Sequence, residues 1–277
     1  MAASSVRSSL AATLFALLVG AESGRSQDRP LALTYLGNMG VHLERGGQRV
    51  VIDGLHRGAL AGYAAVPPHL LGPLEAAGPP FEALDLALTT HRHLDHFDPA
   101  SVAARLGSDP AVWYLAARET VDALVAQSDV PPNHPRVLAA LPPPEGGVEV
   151  SIRGIAVRVL DLPHNRTRSR RVANVGFLVT VGGATLLHVG DADPTTANFA
   201  PHRLPARGID VAILPSWYFT DPGGAAVLEA IGARRYVASH VGLADSANVR
   251  RQLDRSGRQV ILLATPGARI EIPIGRR

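Results

Sequence analysis

The chain has 277 residues, 46% of them hydrophobic and 18% charged, with a formal charge of +3. That is the composition of a folded globular protein, and it argues against a disordered chain or a coiled coil. All 27 basic side chains are arginine, no cysteine occurs, and the near balance of charge gives no support for a nucleic-acid footprint; disulfides, thiolate metal sites and cysteine nucleophiles are excluded.

Residues 1–21 read as a leader. Arg7 precedes the apolar run Leu10 to Ala21, which is 12 residues long. A run of that length is too short to span a bilayer and suits the core of a signal peptide. Val19-Gly20-Ala21 offers a small-residue exit, and the charged stretch Glu22 to Arg29 follows. The expectation is an exported protein, periplasmic or secreted, cleaved near Ala21. No later stretch reaches 18 uninterrupted apolar residues, so residues 30–277 are expected to form one domain without a stable membrane anchor.

In that domain, Leu31 to Leu36 reads as a strand closed by the turn Gly37-Asn38-Met39-Gly40. Val41 to Glu44 and Arg49 to Asp53 flank Gly46-Gly47 as a hairpin. Ala61 to Pro80, rich in Pro and Gly, reads as a long loop. Leu84 to Thr90 (LDLALTT) has the length of a buried strand and leads into HRHLDHFDP. Asp98-Pro99 then opens a helix through Leu106. Ala111 to Leu115 is a strand, and Glu119 to Val125 lies in a helix. The second half repeats this style, with hairpin strands at Val148 to Ile152 and Ile155 to Leu160, and again at Val175 to Val181 and Ala184 to Val189. Asp193-Pro194 is expected to start a helix. The strands Ile209 to Leu214 and Tyr236 to Ser239 alternate with the helices Ala225 to Ile231 and Ala244 to Leu253, and two short strands, Val260 to Ala264 and Ile270 to Ile272, close the chain. Hairpins followed by strand–helix units predict one mixed α/β domain with more than one sheet.

His91, His93, Asp95 and His96 fall within six residues directly after a buried strand. In an extended chain residues two apart point the same way, so His91 and His93 can share one cation, while Asp95 and His96, past the bend, can reach a second. Imidazole and carboxylate are ordinary ligands of Zn²⁺ and similar cations. Three further candidates sit at or just beyond strand ends, where loops carry function: His164 in DLPHN, Asp191 in HVGDAD and His240 in ASHVG. His188 lies within its strand and reads as core or as support for the site. His42, His56, His69, His134 and His202 have no such context and read as surface or capping residues. No GxSxG occurs, so a serine nucleophile has no support.

Asp53 at the end of an early strand, His91-x-His93-x-Asp95-His96, His164, Gly190-Asp191 and His240, in this order, resemble the metallo-β-lactamase superfamily over about Leu31 to Ile272. The opening LTYLGNMGVHLERGGQRVVIDG is similar to the bacterial zinc-dependent hydrolases related to ascorbate-phosphate lactonase. The resemblance implies a four-layer αββα sandwich with two metals at one edge. It implies that His91, His93 and His164 hold the first metal, that Asp95, His96 and His240 hold the second, and that Asp191 bridges both, with Asp95 and Asp191 counted among the catalytic groups. Asp53 would orient the ligand loop. Zn²⁺ is the implied ion, two per chain, and Mn²⁺ or Fe²⁺ would suit the same ligands. A metal-activated water would attack a small-molecule lactone, ester or phosphodiester. A bridging Asp argues against a true β-lactamase. A member that binds metal or a partner without turnover is the alternative from another class. For the proton of the leaving group, Tyr218, His202 and Asp221 are candidates by position. Trp217 and Tyr218 read equally as pocket or core. Arg166, Arg168, Arg170 and Arg171 read as a solvated loop, with an anion-binding role as the alternative.

Overall fold

The computed structural model describes residues 29–164, 172–255 and 257–275. The expected leader and the arginines at 166, 168, 170 and 171 lie outside the described residues. Among the described residues, fourteen strands form two seven-stranded mixed sheets. The first runs in the order β14 (Arg269–Ile272), β1 (Leu31–Gly37), β2 (Gly40–Arg45), β3 (Gln48–Ile52), β4 (Leu86–Thr89), β5 (Trp113–Ala117), β6 (Val137–Ala140). The second runs β13 (Val260–Leu262), β12 (Arg235–Ser239), β11 (Val211–Pro215), β10 (Ala184–His188), β9 (Val175–Val181), β8 (Ile155–Asp161), β7 (Gly147–Ile152). Each half of the chain begins with antiparallel hairpins and continues into parallel pairing, β3 to β6 in one sheet and β10 to β13 in the other. Only the last strand departs from this division, returning to pair antiparallel with β1.

Period-two alternation decides what each strand buries. Val50 and Ile52 of β3, Leu86 and Leu88 of β4, and Leu186, Val211, Ile213 and Val237 of the second sheet meet in the core between the sheets. The intervening residues face outward onto helices. Val51, Ala87 and Tyr114 pack with residues of α1 (Pro68–Glu75), α2 (Pro99–Ser108) and α3 (Arg118–Gln127). Leu187, Ala212 and Leu214 pack with α4 (Thr196–Phe199), α5 (Trp217–Thr220) and α6 (Gly224–Ile231), and Ala238 packs with α7 (Ser246–Arg255). The architecture is the four-layer αββα sandwich. Helix α2 starts as read, with the Asp98 carboxylate accepting the Ser101 amide at 2.8 Å and Pro99 in the first turn.

Three local expectations need correction. The stretch 61–80 is not all loop. Helix α1 begins with Pro68, whose missing N–H costs nothing in a first turn, and it buries Leu71 and Leu74. After Asp193-Pro194 no long helix forms: α4 is a single turn, followed by 3-10 turns at Ala200–His202 and Leu204–Arg207. Pro201 and Pro205 cannot continue an α-helical ladder. His42, His56 and His202 are buried, not at the surface.

His42 carries a consequence for stability. Its ring lies 5.1 Å from that of Phe81, edge to face, and is 1% exposed. Burial pushes its pKa down to about 4. Between the ordinary value near 6.5 and about 4, the unfolded chain binds a proton that the folded chain refuses, so stability falls as pH drops through this window. The shift corresponds to about 3 kcal/mol. Urea unfolding of wild type and His42→Leu at pH 7 and pH 4 should show that the variant loses less stability on acidification by about that amount. Equal losses in the two proteins would refute the assignment.

Candidate metal centre

The site forms where the parallel strands of both sheets end. Asp53 follows β3, residues 90–96 follow β4, Asp191 follows β10 and His240 follows β12, while His164 follows β8. Side chains at the carboxyl ends of parallel strands converge on the crevice outside the sheet.

The seven predicted residues are brought together in two groups. His91, His93, His164 and Asp191 each offer a ligand atom within 4.8 Å of the others, and so do Asp95, His96 and His240. Asp191 faces both groups: one carboxylate oxygen is 3.3 Å from His96 Nε2, and the other is 3.4 Å from His240 Nε2 and 3.9 Å from His91 Nε2. His240 Nε2 is also 3.6 Å from Asp95 Oδ2.

The hydrogen bonds behind these atoms decide which nitrogens are available. Asp53 accepts the Thr90 amide at 2.8 Å, the Thr90 hydroxyl at 2.7 Å and the His96 Nδ1–H at 2.9 Å. This turns His96 Nε2 towards the Asp191 carboxylate. With its proton committed to Asp53, the Thr90 hydroxyl accepts from His91 Nδ1 at 3.0 Å. His91 Nε2 is thereby left facing His93 Nδ1 across 2.9 Å. Asn38 donates to Asp95 Oδ2 at 2.9 Å and to the Asp95 carbonyl at 3.2 Å. Asn174 accepts the Asp191 amide at 3.2 Å and donates to the carbonyls of Leu162 and Val189 at 2.7 and 3.0 Å. His188 joins the two sheets. Its Nδ1 accepts the Gly190 amide at 3.2 Å, so Nε2–H donates to the Met39 carbonyl at 3.0 Å.

The backbone is held in unusual conformations at these positions. Asn38, Asp53 and His240 have φ of 47°, 49° and 52°. Such left-handed residues cost free energy and cluster where function demands them. Gly190, at φ 57°, has no alternative: a Cβ there would lie 2.3 Å from Asn174 Oδ1 and 2.6 Å from Thr90 Oγ1.

Electrostatically the two groups differ. Burial, reinforced by His96, holds His91 well below the ordinary histidine range. Burial also lowers His93 and His164. Burial likewise opposes protonation of His96 and His240, but the carboxylates outweigh it. Asp191 and Asp53 raise His96 well above its ordinary value, and Asp191 and Asp95 raise His240. In return these imidazoles overcome the cost of burying Asp191 and hold its carboxyl well below the usual range. The first group therefore presents neutral rings, and the second pairs its charges internally.

This donor set fits divalent cations. Asp95 Oδ1 and His240 Nδ1 are buried with no hydrogen-bond partner, and neutral nitrogens and carboxylate oxygens crowd together in a way that a shared cation relieves.

The other sequence candidates separate. Tyr218 is core, and its hydroxyl donates to the Ala192 carbonyl at 2.6 Å. His202 Nε2–H is engaged by the Asp161 carbonyl at 3.0 Å, and Asp221 is exposed at the end of α5. Trp217 does border the site, its ring 4.8 Å from that of His240. Asn38, Thr90, Asn174 and Tyr63 are site neighbours that sequence reasoning missed. Tyr63 lies edge-on to His240 at 4.6 Å. Only Asn38 carried a signal, an Asn in a Gly-rich turn.

Residues 32–225 match a family described as the beta-lactamase superfamily domain. A protein of Opitutus terrae described as a UPF0173 metal-dependent hydrolase is 32% identical over 205 residues, covering 73% of this chain and 79% of that protein. Among solved structures, the isothiocyanate hydrolase from Delia radicum gut bacteria superposes with a TM-score of 0.62 at 17% identity, covering 88% of this chain and all of that one. Igni18, a metallo hydrolase from Ignicoccus hospitalis, superposes with a TM-score of 0.57 at 17% identity, covering 88% and 99%. At such identities the structural likeness speaks for the fold alone.

Proposed function

The chain belongs to the metallo-β-lactamase superfamily and, within it, to the UPF0173 metal-dependent hydrolases, and from that premise we propose that it is an exported dinuclear hydrolase cleaving a small lactone or ester. The observation that carries the dinuclear reading is the placement of Asp191 within reach of both ligand groups. His91, His93 and His164 would hold one cation, Asp95, His96 and His240 the other, and Asp191 would touch both. Divalent cations held by these residues would lower the pKa of a coordinated water to about 7 and polarise the scissile carbonyl.

The chain's own residues prepare this chemistry. Asp53 keeps the proton of His96 on Nδ1 and Thr90 keeps that of His91 on Nδ1, so each ring presents Nε2. Asn38 fixes the Asp95 carboxylate, and Asn174 fixes the turn of Asp191. These contacts set ligand orientation before any cation arrives, the role that outer hydrogen bonds play in metal sites generally. Zn²⁺ suits the nitrogen-rich set, and Mn²⁺ or Fe²⁺ would suit it too. The lactone reading also draws on the likeness of the opening LTYLGNMG segment to the ascorbate-phosphate lactonase branch.

Elemental analysis with a hydrolysis screen over lactones, esters, thioesters, phosphodiesters and β-lactams tests this function. Two metals per chain with turnover of a lactone or ester is the expected result. Efficient β-lactam cleavage, or a metal-loaded protein inert to every class, would overturn it. Export rests on the first 21 residues alone. Mass spectrometry of protein from the native envelope should find an N-terminus between Ala21 and Ser26, and a sole species retaining Met1 would reject cleavage.

A further inference from the structure

Among the described residues four large apolar side chains are exposed: Leu60, Leu94, Leu141 and Leu243, at 45, 50, 74 and 61%. Leu141 follows β6. The other three lie on three loops at the metal centre. Leu94 stands between His93 and Asp95, Leu243 follows His240 by three residues, and Leu60 opens the turn that ends at Tyr63. These loops are joined. The Leu243 amide donates to the Gly62 carbonyl at 2.7 Å. Leu94 lies over Gly58, where a Cβ would come within 2.5 Å of Leu94 Cδ1. Tyr63 and Trp217 both stand edge-on to His240, at 4.6 and 4.8 Å. On the same loops, Arg57 pairs with Glu75 and Asp98, and Arg92 with Glu119.

An apolar surface continuous with a polar centre is the usual form of a small-molecule site, and clustered exposed apolar side chains mark binding. We propose that Leu60, Leu94 and Leu243, with Tyr63 and Trp217, form a collar that binds the apolar chain of an uncharged ester or lactone whose carbonyl lies at the metal centre. This rests on the hydrolase reading above and selects, among its substrates, those that carry an apolar chain. The specificity lies in binding, so chain length should act on kcat/KM.

Two measurements on the metal-loaded full chain decide it. The first is kcat/KM for p-nitrophenyl esters from acetate to octanoate. Complete burial would give about fourfold per methylene, and an open collar should still give at least about tenfold across the series. In Leu94→Ser/Leu243→Ser that ratio should fall to about twofold, and because both side chains are exposed the variant should fold normally. The second is binding of 1-butanol and 1-octanol, read from Trp217 fluorescence in a Trp113→Phe background. Octanol should bind at least about tenfold more tightly, with the preference lost in the double variant. Turnover with a flat chain-length profile would overturn the collar. If no ester is cleaved, the alcohol titration decides alone: a retained octanol preference sustains the collar while the hydrolase reading fails, and equal binding overturns it. Sedimentation of the protein, but not the double variant, with phosphatidylcholine vesicles alongside a flat ester profile would make these leucines a membrane contact and overturn the proposal.

Discussion

Asp191→Ala should lower hydrolytic turnover by about a thousandfold or more, and it should cut bound metal from two ions per chain to at most one. Asp191 is the side chain that faces both ligand groups, with one oxygen 3.3 Å from His96 and the other 3.4 Å from His240 and 3.9 Å from His91. On the dinuclear proposal, removing it would take one ligand from each cation and the negative charge that would let two cations share so small a space. Asp191→Asn keeps an oxygen but not the charge, and should fall between wild type and Ala in metal content. The same change should be visible without metal. Asp191 is the leading cause that raises His96 and His240 against the cost of burial, so both imidazoles should titrate lower in the variant, as followed by NMR. Full metal content and wild-type rates in Asp191→Ala would remove Asp191 from the centre altogether.

The candidate metal cluster is legible because its residues are chemically dense and ordered. Three imidazoles and a carboxylate within six residues, directly after a buried strand, concentrate cation donors at a place where the chain turns towards the sheet edge. His164, Asp191 and His240 became readable through their places at strand ends. The strands themselves were legible from alternation and length, because each central strand is apolar on both faces, as Val50, Val51 and Ile52 show. What escaped reading depends on long-range packing. Thr90 and Asn174 are ordinary residues until folding brings them to Asp53 and Asp191, 37 and 17 residues away. Burial of His42, His56 and His202 has no local signature either, since a lone histidine in sequence does not show which layer will cover it. Helix α1 was misread because proline marks both loops and first helical turns. The edge strand β6 was missed because it is short and lies beyond the last helix of its half.

Stripping the cations with a chelator should abolish turnover, and returning Zn²⁺ or Mn²⁺ should restore it, since the chain has no cysteine and no GxSxG motif to supply a nucleophile in their place. The pH dependence of reloading should differ between the two groups. His91, His93 and His164 are held below the ordinary histidine range, chiefly by burial, so near pH 7 they are already neutral and accept a cation with little proton release. His96 and His240 are raised against the cost of burial, chiefly by Asp191, so they hold their protons to higher pH than the first group, and a cation competes with those protons. Raised pKa values in the metal-free protein mean that protons compete more strongly as pH falls, so affinity at the second group weakens on acidification. Calorimetry in buffers of different ionisation enthalpy should therefore resolve a first cation that binds with little linked protonation and a second that releases more protons. Metal content after dialysis should fall as pH drops, with the second ion lost before the first. Turnover that survives chelation would end the metal-dependent mechanism, and two equivalent, pH-independent cations would show that Asp191 does not divide the site as its contacts indicate.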